Sequence, residues 1–176
     1  MELSEQWRLL TGGESERFPS VSLVLVEGAG RGLAVTQAVE GGTVVLSDRA
    51  VVVGPSPLSS PSQCDGCFSR TAGEQCEACS AVFCSADCRR ERHTAEECRA
   101  LRSLPVPTPS PALWLMILRL HLSQDPRLSL LTGHTSSPST EKYCKETLAR
   151  LGISEIEAAR LQAVLSANTF RNNTAR

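Results

Sequence analysis

Seven of the eight cysteines in this chain of 176 residues fall between positions 64 and 98, and they come in pairs. The ligand-type residues of this block are Cys64-x2-Cys67, Cys76-x2-Cys79, Cys84-x3-Cys88 and His93-x4-Cys98. Thiolate sulfur and imidazole nitrogen are ligands that zinc prefers, and two thiolates in one C-x2-C turn can reach a single ion. Eight such ligands fill two tetrahedral sites and leave no open position for a catalytic water. The spacing therefore predicts two structural zinc ions, with no chemistry performed by the metals.

The order of the pairs also predicts how they combine. Paired ligands that alternate along a chain suggest a crossed arrangement, in which the first and third pairs share one ion. His93 and Cys98 are five residues apart, which places them on different faces of a straight helix. We therefore expect the helix to be broken there. A segment this short cannot bury a core of its own, so its fold should depend on the metal and be lost on chelation.

The alternative for these cysteines is a set of disulfides or of free buried thiols. The N-terminal stretch "MELSEQWRLL" has no basic region followed by an apolar run, and a secretory signal is therefore not expected. The expected compartment is reducing, either cytoplasmic or nuclear, where clustered thiols more often bind metal than form disulfides.

Four segments are predicted along the chain. Residues 1–53 are predicted to be β-rich, because "VSLVLVEGAGRGLAV" places apolar runs around a Gly-rich turn and "TVVLSDRAVVV" predicts two more strands. Residues 54–63 form a Pro/Ser linker that cannot continue a strand ladder. The cysteine block occupies 64–98. Residues 99–176 are predicted to be helical.

The helical segment has clear start and stop signals. Pro111 begins a predicted helix over 111–123, since the missing N–H of proline is not needed at that position. The stretch "STEKYCKETLARLG" predicts a helix that ends at Gly152. Ser154 and Glu157 have the spacing of a capping box and predict the start of the last helix.

Composition argues against nucleic acid and membranes as partners. The 18 basic and 19 acidic residues nearly balance, so no global charge attracts either surface. The arginines of "CRRERHTAEECRALR" alternate with glutamates, which favours a solvated helix over a phosphate-binding stripe. Two Trp, one Tyr and four Phe are too few for a base-stacking surface. The most apolar stretch, "PALWLMILRLHL", is too short to span a bilayer and contains Arg119.

The pattern "CDGC…CEAC…VFCSADC…H…EEC" resembles a MYND zinc finger. The resemblance implies two four-ligand sets, one being Cys64, Cys67, Cys84 and Cys88, the other Cys76, Cys79, His93 and Cys98. It also implies a protein-binding role, with proline-containing peptides among the partners. The chain departs from the family in having Arg89 and His93 where the family tends to carry Gln and Trp.

The flanking segments resemble parts of a SET domain. "GAGRGLAVTQAVEGGTVVLSDRAVV" is similar to its opening strands, and "NTF" is similar to the "NxF" segment before its catalytic half. With the finger between them, these segments resemble the SET and MYND (SMYD) family of protein-lysine methyltransferases. The resemblance implies an α+β fold with a zinc-binding insert: short strands of a split SET domain, a two-zinc MYND finger and a helical segment. It further implies methyl transfer from S-adenosylmethionine to lysines of histones and other proteins.

The same resemblance implies cofactor contacts at Gly30, Arg31, Gly32 and Asn168. A glycine turn allows the backbone to approach a cofactor closely. The alternative for the glycines is a simple hairpin turn, and for Asn168 it is a helix C-cap.

The catalytic half of the family has no counterpart in this sequence. There is no Asn-His pair to match the family's "NHSCxPN"-like strand, and the only tyrosine, Tyr143, falls in a predicted helix. Methyl transfer needs a lysine amine held in line with the sulfonium, which those elements supply. We therefore assign no catalytic residue. Two functions remain: the N-terminal part of a SMYD-type methyltransferase, or a non-catalytic, zinc-dependent protein-binding adaptor in transcriptional regulation.

Overall fold

The computed structural model contains two compact units, each described below by itself. The first comprises Met1–Val51 with Asp125–Leu130, and the second comprises Val52–Gln124 with Leu131–Arg176. The residues that the structure describes are 2–13, 18–48, 50–55, 63–104, 111–133 and 145–169.

The first unit contains a helix and a β-hairpin. Helix α1 (Leu3–Leu10) is followed by the antiparallel strands β1 (Val21–Val26) and β2 (Gly30–Val35). Ala29 N–H donates to the carbonyl of Val26 at 3.1 Å and closes the turn. Gly30 has a φ of +81°, a left-handed conformation that glycine adopts without a Cβ clash. The unit also holds the 3-10 helix Pro126–Leu130, which packs against α1.

The prediction of two further strands over 43–53 is wrong for the residues that the structure describes there. Residues 43–48 and 50–53 form no strand. Strand propensity expresses the packing of side chains on a pleated, half-buried surface, and Val44 is 79% exposed. The stretch has the composition of a strand without a surface to pack on. The helix α1 was not predicted, although Leu3, Trp7 and Leu10 have helical spacing.

The cysteine block of the second unit forms two short strands and two short helices. Strand β3 (Glu74–Gln75) pairs antiparallel with β4 (Val82–Phe83), and helices α2 (Ala86–Arg92) and α3 (Ala95–Ser103) follow. The predicted break between His93 and Cys98 is confirmed. His93 ends α2 with an extended backbone, and the hydroxyl of Thr94 caps α3 by accepting from Glu97 N–H at 3.1 Å.

Three further helices complete the second unit. They are α4 (Pro111–Leu122), α5 (Lys145–Leu151) and α6 (Glu155–Asn168), and α4 packs against α3 and α6. The prediction of a buried helix over 111–123 is confirmed to within one residue, since Ile117, Leu118 and Leu120 of α4 are buried. Leu161 of α6 is fully buried in the same core.

The predicted ends of α5 and α6 are confirmed where the structure describes them. Gly152 follows α5 with a φ of +70°, the left-handed conformation that ends many helices. The Ser154 hydroxyl accepts from Glu157 N–H at 3.1 Å. The Glu157 carboxylate turns to Arg160, whose hydrogen bonds lower the pKa of Glu157. The first residues of the predicted helix over 139–152, with Tyr143, lie outside the described residues.

Among these described elements, no helix combines the length and the apolar character that a membrane span requires.

Candidate metal centre

The structure brings the eight predicted ligands into two groups. In each group the four ligand atoms lie within 4.8 Å of one another. The first and third pairs meet in one group, and the second pair meets His93 and Cys98 in the other. The first cluster is therefore Cys64, Cys67, Cys84 and Cys88, and the second cluster is Cys76, Cys79, His93 and Cys98.

The two C-x2-C pairs lie in separate backbone turns of the same type. Phe68 N–H donates to the carbonyl of Cys64 at 2.9 Å, and Ser80 N–H donates to the carbonyl of Cys76 at 2.8 Å. Phe68 and Ser80 have φ values of 62° and 63°. The two turns share this hydrogen bond and this backbone conformation, so one local geometry builds half of each cluster.

Backbone N–H groups surround the sulfur of Cys64. Those of Gly66 and Cys67 lie 3.4 Å from it, and that of Cys84 lies 3.3 Å from it. Such donors stabilise a negatively charged sulfur. A Cβ on Gly66 would lie 2.8 Å from the sulfur of Cys88. Glycine at this position therefore gives the ligand set the room it needs.

The distances fit zinc and exclude disulfides among the described cysteines. The sulfurs of Cys64 and Cys88 are 3.5 Å apart, and those of Cys76 and Cys98 are 3.8 Å apart. A disulfide bond is about 2.05 Å long, so these thiols are free. Four sulfurs bound at about 2.3 Å to a tetrahedral zinc stand about 3.8 Å apart. Both clusters could therefore hold a zinc ion.

The thiols of each cluster have divergent acidities. Hydrogen bonding to Ser69 lowers the pKa of Cys67 to about 6, and burial raises the pKa of Cys88 to about 12. In the second cluster, backbone N–H donors lower the pKa of Cys76 to about 6, whereas burial raises the pKa of Cys79 to about 12. The thiols within each cluster thus differ in how readily they lose their protons. A cation bound by all four ligands must displace protons.

A small apolar core lies among the chain segments that carry the ligands. Phe83 of β4 is 1% exposed, and its ring centroid lies 4.9 Å from that of His93. Cys64, Cys76 and Ala81 are buried with it. Beside this core, the Val82 N–H donates to the Asp65 carboxylate at 2.7 Å. The first C-x2-C turn is thereby attached to β4.

Two charged residues near the second cluster were missed by the sequence interpretation. Glu97 was expected on a solvated helix, but only 4% of it is exposed, and Glu97 Oε1 lies 3.2 Å from His93 Nδ1. Arg119 of α4 binds the same carboxylate, with Nε to Oε2 at 2.8 Å and Nη2 to Oε1 at 3.0 Å. The available signals were the four-residue spacing of His93 and Glu97 and a lone arginine in an apolar helix.

The residues with a predicted cofactor role have partners within the protein. Gly30, Arg31 and Gly32 begin β2, and Arg31 Nη1 donates to the Gln6 side chain at 3.0 Å. Arg31 also donates to the carbonyl of Leu130. The glycine turn is a hairpin turn, and the assignment of a cofactor contact to it stays a prediction.

Asn168 is the last residue of α6 and belongs to the second unit. Its amide donates to the carbonyls of Val164 at 2.8 Å and Thr132 at 2.9 Å. These bonds secure the end of the helix. A contact of Asn168 with a cofactor likewise stays a prediction.

The fold and the two clusters define a mixed α/β protein with Cys-rich sites suited to zinc. Over 78 residues the chain is 35% identical to the histone-lysine N-methyltransferase ASHR1 of Arabidopsis thaliana, a match that covers 43% of this chain and 16% of that protein. The match supports a relationship at family level to methyltransferases of the SET and MYND type. No family model matches the chain, and no solved structure matches it.

Proposed function

We propose that this chain is part of a SMYD-type, S-adenosylmethionine-dependent protein-lysine methyltransferase. Residues 64–98 form its MYND finger between an N-terminal SET segment (1–53, with a linker over 54–63) and a helical segment (99–176). The crossed pair of four-ligand clusters carries the finger part of this proposal. The partial match to a histone-lysine methyltransferase supports the enzyme part.

The zincs have a structural role in this proposal. Each cluster supplies four protein ligands, which fill a tetrahedral zinc and leave no position for a reacting water. The clusters flank a core of few residues, so the metals replace the hydrophobic burial that a larger domain would have. The finger then presents a surface for proteins, including proline-containing peptides.

The methyl transfer belongs to the protein of which this chain is a part. When bound, S-adenosylmethionine would supply the methyl group. Gly30, Arg31, Gly32 and Asn168 are the residues we assign to its binding. The substrates would be lysines of histone or other proteins, in the cytoplasm or the nucleus.

Calorimetric titration of S-adenosylmethionine into the zinc-loaded chain tests the cofactor part. We expect micromolar binding, about −8 kcal/mol, and its loss in Asn168→Ala. Ser166→Ala, an exposed change two residues earlier in α6, is the matched control and should bind as the wild type does. Absence of binding to a chain that holds two zincs would overturn the cofactor assignment. It would favour the second candidate, a zinc-dependent protein-binding adaptor.

A further inference from the structure

The imidazole of the second cluster has a defined partner on each ring nitrogen. His93 Nε2 lies 3.4 Å from the sulfur of Cys79, inside the cluster, and Nδ1 lies 3.2 Å from Glu97 Oε1. A neutral imidazole carries a proton on one nitrogen and offers the other to a metal. A carboxylate beside Nδ1 favours the tautomer with the proton on that nitrogen. The lone pair of Nε2 is then directed to the metal position.

Arg119 holds the carboxylate in place. Its guanidinium forms two bonds to Glu97, and the side chains of Arg119 and Glu97 are only 10% and 6% exposed. Such a two-point contact fixes orientation as well as charge. Without this contact the Glu97 carboxylate would lose the partner that holds it beside His93 Nδ1.

We infer that Glu97 and Arg119 are positioning residues for the zinc of the second cluster. Arg119 orients Glu97, Glu97 selects the tautomer and angle of His93, and His93 Nε2 binds the metal. Carboxylate partners of metal-bound histidines act in this way, and their loss typically weakens metal binding roughly 10–100-fold. The inference rests on the zinc of the proposed finger and not on methyltransferase activity.

Arg119 also reaches the first cluster. Its Nη2 donates at 2.7 Å to the carbonyl of Asp65, which lies inside the Cys64–Cys67 turn. Its Nη1 donates at 3.0 Å to the carbonyl of Val53. One side chain of α4 therefore joins the two metal clusters to the helical part of the unit. A finger ending at Cys98 would lack the residue that orients its own histidine.

A merely structural ion pair would predict a different result. Loss of such a pair would lower the stability of the whole unit and weaken both zincs together. A positioning role predicts a loss at the second cluster alone, with a change at the His93 ring. The two clusters can be resolved because a site of four thiolates and a site of three thiolates and one imidazole give distinct cobalt absorption spectra.

The test uses the full chain, Glu97→Gln, and Glu96→Gln as the matched control on the exposed face of α3. Two bound zincs are first confirmed by native mass spectrometry. Competition of a chelator for cobalt bound in place of zinc, followed at the absorption bands of each site, should then show the second site of Glu97→Gln weakened roughly 10–100-fold and the first site changed by less than about threefold. Glu96→Gln should match the wild type. In wild-type protein, long-range ¹H–¹⁵N spectra should show zinc on His93 Nε2 and the proton on Nδ1.

Three results would overturn the inference: an unchanged second site, an equal loss at both sites, or zinc on Nδ1. If Glu97→Gln does not fold at saturating zinc, Glu97→Asp provides the decision. It keeps a negative charge beside Arg119 but draws the carboxylate back from His93 Nδ1, so a loss at the second site with the first site unchanged supports positioning. A second-site affinity equal to that of the wild type, or an equal loss at both sites, overturns it.

Discussion

Two residues beside the zinc ligands have a backbone conformation that L-residues avoid. Phe68 and Ser80, each directly after a C-x2-C pair, have positive φ values. This conformation costs roughly 1–2 kcal/mol for a residue with a Cβ. It persists because the carbonyl of the first cysteine accepts the N–H of that residue in both turns. The fold thus contains local backbone strain next to each metal cluster.

Relief of that strain should be measurable at Ser80. Its side chain is exposed, so Ser80→Gly loses little packing while it removes the Cβ clash. We expect the unfolding free energy of the zinc-loaded chain to rise by up to about 1 kcal/mol in urea denaturation, since the greater freedom of glycine in the unfolded chain offsets part of the gain. Ser80→Ala keeps the Cβ and should give no gain. Equal stability of the two variants would contradict the strain.

The raised thiol pKa values predict proton release on zinc binding. Cys79 and Cys88 have pKa values of about 12 and carry protons at neutral pH, whereas zinc binds only the thiolate. Binding must therefore release protons, and affinity falls roughly tenfold per pH unit for each proton displaced. The stabilisation by zinc is present at neutral and higher pH and is lost as pH falls.

Calorimetry in two buffers of different ionisation enthalpy measures this release. The apparent binding enthalpy should depend on the buffer, and its difference between the two buffers, divided by the difference of their ionisation enthalpies, should give at least one proton released per zinc. An enthalpy independent of the buffer would show that the thiols are already ionised before the metal arrives.

At the scale of the elements, the position and burial of α4 could be predicted from the sequence, but its contacts with the two metal clusters could not. Pro111 and the apolar run that follows it indicate the helix and its burial, because both are local signals. Arg119 forms hydrogen bonds with Glu97 and Asp65, which are 22 and 54 positions away in the sequence. Sequence periodicity contains no information on such distant packing. The strands expected over 43–53 failed for the related reason that propensity does not reveal whether a surface is available to pack on.

Removal of the charge on Arg119 should destabilise the second unit strongly. Arg119→Met leaves Glu97 buried without its cation, and breaking a buried pair in this way typically costs about 3–5 kcal/mol. Arg90→Met is the matched control, because its pair with Asp87 is exposed on both sides. It should change stability by less than about 1 kcal/mol. Denaturant unfolding of the two variants at saturating zinc compares them, and equal losses would contradict a special role of Arg119.

For the whole molecule, the crossing of the ligand pairs determines how the metals depend on each other. The loop closed from Cys64 to Cys88 contains Cys76 and Cys79 of the second cluster. This arrangement could be predicted, because alternating pairs are visible in the sequence. The link that Arg119 makes between the two clusters could not be predicted from the sequence. Each metal therefore closes a loop on which part of the other site depends.

Loss of one ligand should weaken the site to which it does not belong. Cys84→Ser is expected to leave one zinc per chain in native mass spectrometry, and that zinc should leave faster to a chelator because its loop is no longer closed. Cys144→Ser alters the cysteine outside the block and should retain two zincs with wild-type release. An unaltered release rate from the second cluster of Cys84→Ser would show that the two sites are independent.

Because the ligand sets are crossed, the first cluster would still link the two parts of the chain if the peptide bond after Arg70 were cut. Arg70 is exposed and lies between the first and second cysteine pairs, so trypsin could cleave there. The N-terminal fragment would keep Cys64 and Cys67, and the C-terminal fragment would keep Cys84 and Cys88 of the same cluster. A nicked protein would keep its two fragments joined through this metal, and a chelator would remove that link while the packing of Pro126–Leu130 against α1 remains. In this respect the metal of the first cluster is a cross-link between two parts of the chain.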